Sequence, residues 1–278
     1  MIVRAAPTGV ASWHLTSLEF AVLLDRIGRD RVPFPFSWTT RVRTAADLRA
    51  EREAARRRLG DRSLLAAASL LGGPGLQVTA CGVESGDRRV RIRAATSYSA
   101  IPLHSDRPPA FPPHSDRPPA FPLAVVVVQD PGPTSDTGGT VHVHAVPPER
   151  MTHTLTAALP HRRAGRVTPS SVSRDDVVRA PSSHLHDSRG DTDRDRVIHI
   201  LDGPREGLGE IVVGHGGDGP LEAIAGRRWI DALGDGRYLV HATDVVAVLP
   251  ATAQTIAAAL DDEIRRAGAV PPVTGTRS

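Results

Sequence analysis

Twice in this chain an apolar strand pattern runs into proline and then into a helix pattern, and this repetition constrains the fold more than any other feature. Val143-His-Ala-Val-Pro-Pro148 leads into a segment carrying Leu155 and Leu159, and Val245-Val-Ala-Val-Leu-Pro250 leads into one carrying Ile256 and Leu260. The two align after a one-residue slip. Proline cannot donate to a sheet ladder, so it ends each strand. The i, i+4 spacing then sets each apolar pair on one helix face. Helices first, paired strands next and a helix last predict an antiparallel sheet with helices packed on it, α+β rather than α/β.

Other signals fill in the order of elements. Thr16 and Glu19 have capping-box spacing, Phe20, Leu23, Leu24 and Ile27 follow at helical spacing, and Gly28 ends that helix. The segment Val32-Pro-Phe-Pro-Phe-Ser-Trp38 reads as an extended edge carrying aromatic side chains, because each proline removes a donor. A second helix is predicted from about Thr44 to Leu59, with Leu48, Ala55 and Leu59 inward, and a third from Leu64 to Leu71 behind an Asp61 cap. A hairpin follows: Leu76, Val78 and Ala80 alternate, Glu84-Ser-Gly-Asp-Arg88 turns the chain, and Val90, Ile92 and Ala94 alternate on the return. Leu123–Val128 is a continuous apolar run, predicted as a strand buried on both faces. Val141, Val143 and Ala145 alternate in the next strand, before a helix through Met151, Leu155 and Leu159. Further strands are predicted over 210–213, 221–230, 237–241 and 245–249, and a last helix through Ile256, Leu260 and Ile264 stops at Gly268.

Two segments stand apart. His104-Ser-Asp-Arg-Pro-Pro-Ala-Phe-Pro112 recurs as His114-Ser-Asp-Arg-Pro-Pro-Ala-Phe-Pro122. Three prolines in each copy exclude ladder and helix and favour polyproline II, so the 104–122 stretch reads as a duplicated loop. From Pro160 to about Gly207 the sequence is polar without a sustained apolar period. It reads as a long connection, with a short helix near Val172–Val178.

Composition excludes several function classes. Of 278 residues 40% are hydrophobic and 23% charged, ordinary for a folded chain. The sequence has no lysine, so all basic side-chain charge is arginine, yet the formal charge is only +3. That excess is too small to imply nucleic acid, and 4% aromatics leave few rings for base stacking. The lone Cys81 sits in an apolar strand, so no intrachain disulfide forms and the residue reads as core. The first residues lack a leader-like apolar core, and no stretch approaches the roughly 20 residues of a membrane span. A cytoplasmic protein without membrane insertion is expected.

The tempting chemistry dissolves residue by residue. Gly214-His-Gly-Gly-Asp-Gly219 matches a dinucleotide fingerprint, but Pro220 follows and no β-α pattern supplies a parallel sheet, so a hairpin loop is expected. Asp191, Asp193, Asp195 and Asp202 echo a calcium loop, but Arg196 stands where glycine must make the turn. Arg189-Gly-Asp191 is too short a motif to carry adhesion. His142 and His144 share a strand face, and His184 and His186 could do so too, but no carboxylate or cysteine cluster completes a ligand set. No nucleophile, base and orienter assemble, so neither enzyme activity nor a cofactor is expected.

The order of segments resembles the EspG family of type VII (ESX) secretion. The resemblance runs from Trp13-His-Leu-Thr-Ser-Leu-Glu-Phe20 through Pro33-Phe-Pro-Phe36, the Arg- and Glu-rich helix and the hairpin Leu76–Ala95. It resumes in Gly236-Arg-Tyr-Leu-Val240, Val245–Pro250 and the helix to Ala267. It implies a single domain over 1–278 with a pseudo-two-fold fold, a central antiparallel sheet flanked by N- and C-terminal helical bundles. The halves fall at about 12–160 and 208–270, joined by a flexible polar connection over 161–207. It also implies a chaperone that binds the helical tip of a PPE protein in its PE/PPE heterodimer. The hairpin-tip residues Glu84, Asp87 and Arg88 and the C-terminal helix become the expected contacts. Association with a second copy of the chain stays open, as do two alternatives: an Arg-rich nucleic-acid binder, and a nucleotide-binding enzyme using the Gly214–Gly219 loop.

Overall fold

Alternating apolar residues at 76–80 and 211–213 mark two long strands, and their pairing forms the middle of the structure. The computed structural model describes residues 4–6, 10–40, 42–85, 88–96, 123–134, 136–178, 192–216 and 221–268. Its strands are β1 (Arg4–Ala6), β2 (Val10–Leu15), β3 (Gly75–Glu84), β4 (Arg88–Thr96), β5 (Ala124–Pro131), β6 (Gly138–Val146), β7 (Ser170–Ser173), β8 (Arg205–Gly216), β9 (Glu222–Ala232), β10 (Gly236–Ala242) and β11 (Val245–Pro250). Its helices are α1 (Ser17–Arg26), α2 (Ala45–Arg58), α3 (Arg62–Gly72), α4 (Met151–Ala157), α5 (Arg174–Val178), α6 (Asp193–Asp202) and α7 (Ala253–Gly268).

Among the described residues the strands form one eleven-stranded sheet in the order β1-β2-β6-β5-β4-β3-β8-β9-β10-β11-β7. All its strand pairs are antiparallel. β3 and β8 pair from Gly75↔Gly216 to Glu84↔Gly207 and make the central seam. Outward from the seam each side is a four-strand meander, β3 to β6 and β8 to β11. β2 and then β1 extend the first side, and β7 closes the second. The doubled strand-proline-helix pattern of the sequence is β6 into α4 and β11 into α7.

The period of two divides the core between the two faces. Leu76, Val78, Ile92 and Ile211 pack under α4 and α7 through Met151, Leu155, Ile256 and Leu260. On the opposite face α1 and α3 cover Val125, Val127, Val141 and Val143 with Phe20, Leu23, Leu64 and Ala68. Farther along that face, α6 covers Ile230, Tyr238 and Val240 through Val197 and Ile200. Burying each such Leu, Ile or Val stabilises by about 1.5–3 kcal/mol relative to exposure.

Local chemistry fixes the N-terminal layer. Thr16 and Glu19 form the expected capping box. The Asp61 carboxylate accepts from the backbone of Ser63 at 2.8 Å and from Trp13 Nε1 at 2.8 Å, so the cap of α3 is tied to β2. Two expectations differ from the structure. Residues 32–38 form a turn rather than an edge strand. The Gln129 side chain takes the place of a ladder there, accepting from Ser37 N at 2.9 Å and donating to Ser37 O at 2.8 Å. Phe36 packs edge-on against Phe20 at 5.4 Å, whereas Phe34 is 67% exposed. The polar stretch after Pro160 also holds β7 and α6. β7 joins the sheet through backbone pairing to β11, and α6 starts on its own Thr192–Asp195 capping box. The 104–122 repeat, Asp87, Asp191, His184 and His186 lie outside the described residues, as do the loop residues 217–220.

Candidate docking groove

The alternation that puts Val90 and Ile92 under α4 and α7 turns Arg89, Arg91 and Arg93 to the other face of β4. On that face the α1–α3 layer and α6 cover the two flanks of the sheet and leave its middle open. The resulting cleft encloses about 1230 Å³. Strand register sets its floor in two rows: Arg89, Val83, Leu208 and Ile230 are successive cross-strand neighbours, as are Arg91, Cys81, Glu210 and Arg228. The next row, Arg93, Thr79, Val212 and Gly226, runs on toward a neighbouring cleft. A second cleft of about 570 Å³ adjoins it and shares Phe34, Cys81 and Glu210 in its lining.

The three β4 arginines play different parts. Arg93 is buried, donates to Gln77 and donates to the Phe34 carbonyl at 2.6 Å, so it ties the aromatic rim to the floor. Burial, with Arg29 adding repulsion, pulls its pKa down to about 10. Arg91 donates to Thr137 O at 3.2 Å, and burial followed by repulsion from Arg89 lowers its pKa. Arg89 is exposed, as is Arg228 on β9. The Cys81 thiol is pushed up by burial and then by Glu210, so it stays protonated and is a poor nucleophile.

Glu84 and Arg88 face each other in register where β3 meets β4, beside the groove-lining Val83 and Arg89. The Glu84 side chain turns to Arg162, which donates to it at 3.3 Å. Arg162 also lies 3.7 Å from Glu206 and 3.9 Å from Asp231, and Asp231 pairs with the buried Arg237. Glu84 is therefore half-buried in a charge network, while Arg88 is exposed. The sequence reading passed over Arg89, Arg91 and Arg93. Their signal was present as Arg89-Val-Arg-Ile-Arg93, one strand face apolar and the other cationic.

The remaining candidates are placed as follows. His142 and His144 do share a face, but His142 bonds His14 at 3.1 Å and Asp130 at 2.9 Å, whereas His144 bonds Ser12 at 2.9 Å. No group of three metal-ligating side chains assembles among the described residues. Gly214 and Gly216 end β8, and the next element is its antiparallel neighbour β9 rather than a helix. Asp193 and Asp195 lie in the first turn of α6. No helix among the described residues is long and apolar enough to cross a membrane.

An antiparallel sheet layered with helices and open across its middle in a wide groove defines an α+β protein. The EspG family model matches residues 16–262, and the chain belongs to that family. Membership gives it an ESX secretion-associated role of chaperone type, in a family not known for enzymes. No curated protein matches the sequence.

Proposed function

We propose that this chain is a cytoplasmic chaperone that captures a PE/PPE heterodimer by the helical tip of its PPE subunit and holds it for type VII secretion. The observation that carries this reading is the open groove over β4, β3, β8 and β9 in a chain of the EspG family. A helical pair exposes apolar helix ends that self-associate in water. A groove floored by Val83 and Leu208 and rimmed by Phe34 offers such an end a partly apolar seat. The matching order of the two meanders supports a pseudo-two-fold arrangement, with the groove across its axis.

The hairpin residues Glu84, Asp87 and Arg88 are proposed as further partner contacts. Reversing the charges of Asp87 and Arg88 is expected to weaken capture without lowering Tm. The direct test is co-expression with a PE/PPE pair encoded beside this chain, followed by pull-down and size exclusion. The expected result is a 1:1:1 complex and a pair that aggregates alone. Failure of every such pair to bind overturns the reading, and the same column run on the free chain reports self-association.

A further inference from the structure

Several arginines outside the groove are matched by a carboxylate nearby. Arg52 and Arg56 meet Asp25, Arg58 meets Glu19, Arg166 meets Asp235 and Arg266 meets Glu263. In the groove lining arginines outnumber carboxylates. Arg227 bonds Glu263 on the other face and is set aside. Five arginines then line the groove against Asp136, Asp202 and Glu210. Arg89, Arg174 and Arg228 are exposed and form no ion pair with a described residue. Glu210 lies opposite Arg228 in register, but the two form no ion pair. A near-neutral chain thus carries, on one concave surface, three arginines that form no ion pair with a described residue, beside apolar Leu208 and Phe34.

We infer that the groove selects a helical end that carries carboxylates beside its apolar tip, Arg89 and Arg228 reading the carboxylates from opposite sides of the β3–β8 seam. This deepens the chaperone reading and rests on it. Like signs across an interface repel, so an acidic tip is favoured and a basic one rejected. An arginine fork suits this task because it can grip a carboxylate with two parallel bonds. The attraction must weaken as salt screens it.

The experiment measures affinity for the cognate PE/PPE pair by calorimetry at low and high salt, for the wild type, R89E/R228E and the control R57E on α2. Expected are binding about tenfold or more weaker in the groove double variant, a flatter salt dependence and an unchanged control. Melting of the double variant stays at the wild-type temperature, since both side chains are exposed. A double variant that binds the pair as tightly as wild type, with the same salt slope, overturns the inference and leaves the chaperone reading standing. If the wild type binds no pair, both fall. A single-stranded oligonucleotide that binds the wild type as tightly as the pair does, and is lost in R89E/R228E, also overturns it, assigning the arginines to nucleic acid.

Discussion

Arg237 grips Asp231 through two bonds, Nε to Oδ1 at 2.6 Å and Nη2 to Oδ2 at 2.8 Å, with both side chains 2% exposed or less. The pair bridges β9 and β10 in register, and Arg162 approaches from the Glu84 side. Arg237→Met leaves a buried carboxylate without its main partner and is expected to cost about 3–5 kcal/mol in urea unfolding. Replacing both residues, Arg237→Met with Asp231→Leu, is expected to recover much of that loss. A double variant no more stable than the single one contradicts the assignment.

Gly209 holds the indole of Trp229 flat against the seam. A Cβ there would stand 2.0 Å from the ring atoms Cη2 and Cζ2. Gly209→Ala is expected to cost about 1–3 kcal/mol by overpacking. Trp229→Leu in the same chain should remove part of that particular penalty, giving a non-additive pair of effects. Urea midpoints of the two single variants and the double report it, and strict additivity refutes the contact.

Stability should fall on mild acidification through two histidines. His144 is held below the ordinary 6.5 by burial, with repulsion from His142 and His14 adding to it; burial and then Arg227 do the same to His241. The unfolded chain takes up these protons near 6.5, the folded chain only at lower pH. Their contribution is therefore complete above 6.5 and is lost as pH falls from there toward the lowered folded values. H144N/H241N should flatten the dependence of Tm on pH in that window. An unchanged slope would count against the assignment.

Phe34 presents a ring 67% exposed at the junction of the two clefts, while its carbonyl is held by Arg93. Phe34→Ser keeps that backbone bond. The variant is expected to stay within about 0.5 kcal/mol of wild-type stability. Capture of the helical pair is expected to weaken about tenfold or more. Pull-down titration beside a melting curve separates the two effects.

Much of this architecture was legible in the residues because its signals are local. Thr16 with Glu19 and Asp61 with Ser63 announce helix starts, and the alternation at 76–80 and 90–94 gives a hairpin whose partner is its own neighbour in sequence. β7 gave no such signal, since Ser170–Ser173 contributes backbone bonds to β11 and little apolar burial. α6 was hidden because two buried side chains, Val197 and Ile200, suffice to seat it. The pairing of β3 with β8 could not be read either, because apolar alternation says which face is inward and not which strand lies alongside. The groove was missed for that reason. Arg91, Cys81, Glu210 and Arg228 become one row only when three strand registers are known together.

The strand order also fixes what a broken chain can do. β8 to β11 all follow the 179–191 stretch, yet they are flanked by β3 on one side and β7 on the other, both of which precede it. A protease cut within that stretch leaves the C-terminal piece clasped between two strands of the N-terminal piece. The fragments can separate only if the β3–β8 ladder and the β11–β7 ladder both open. Nicked protein should therefore run as a single species on a native gel and come apart only in denaturant.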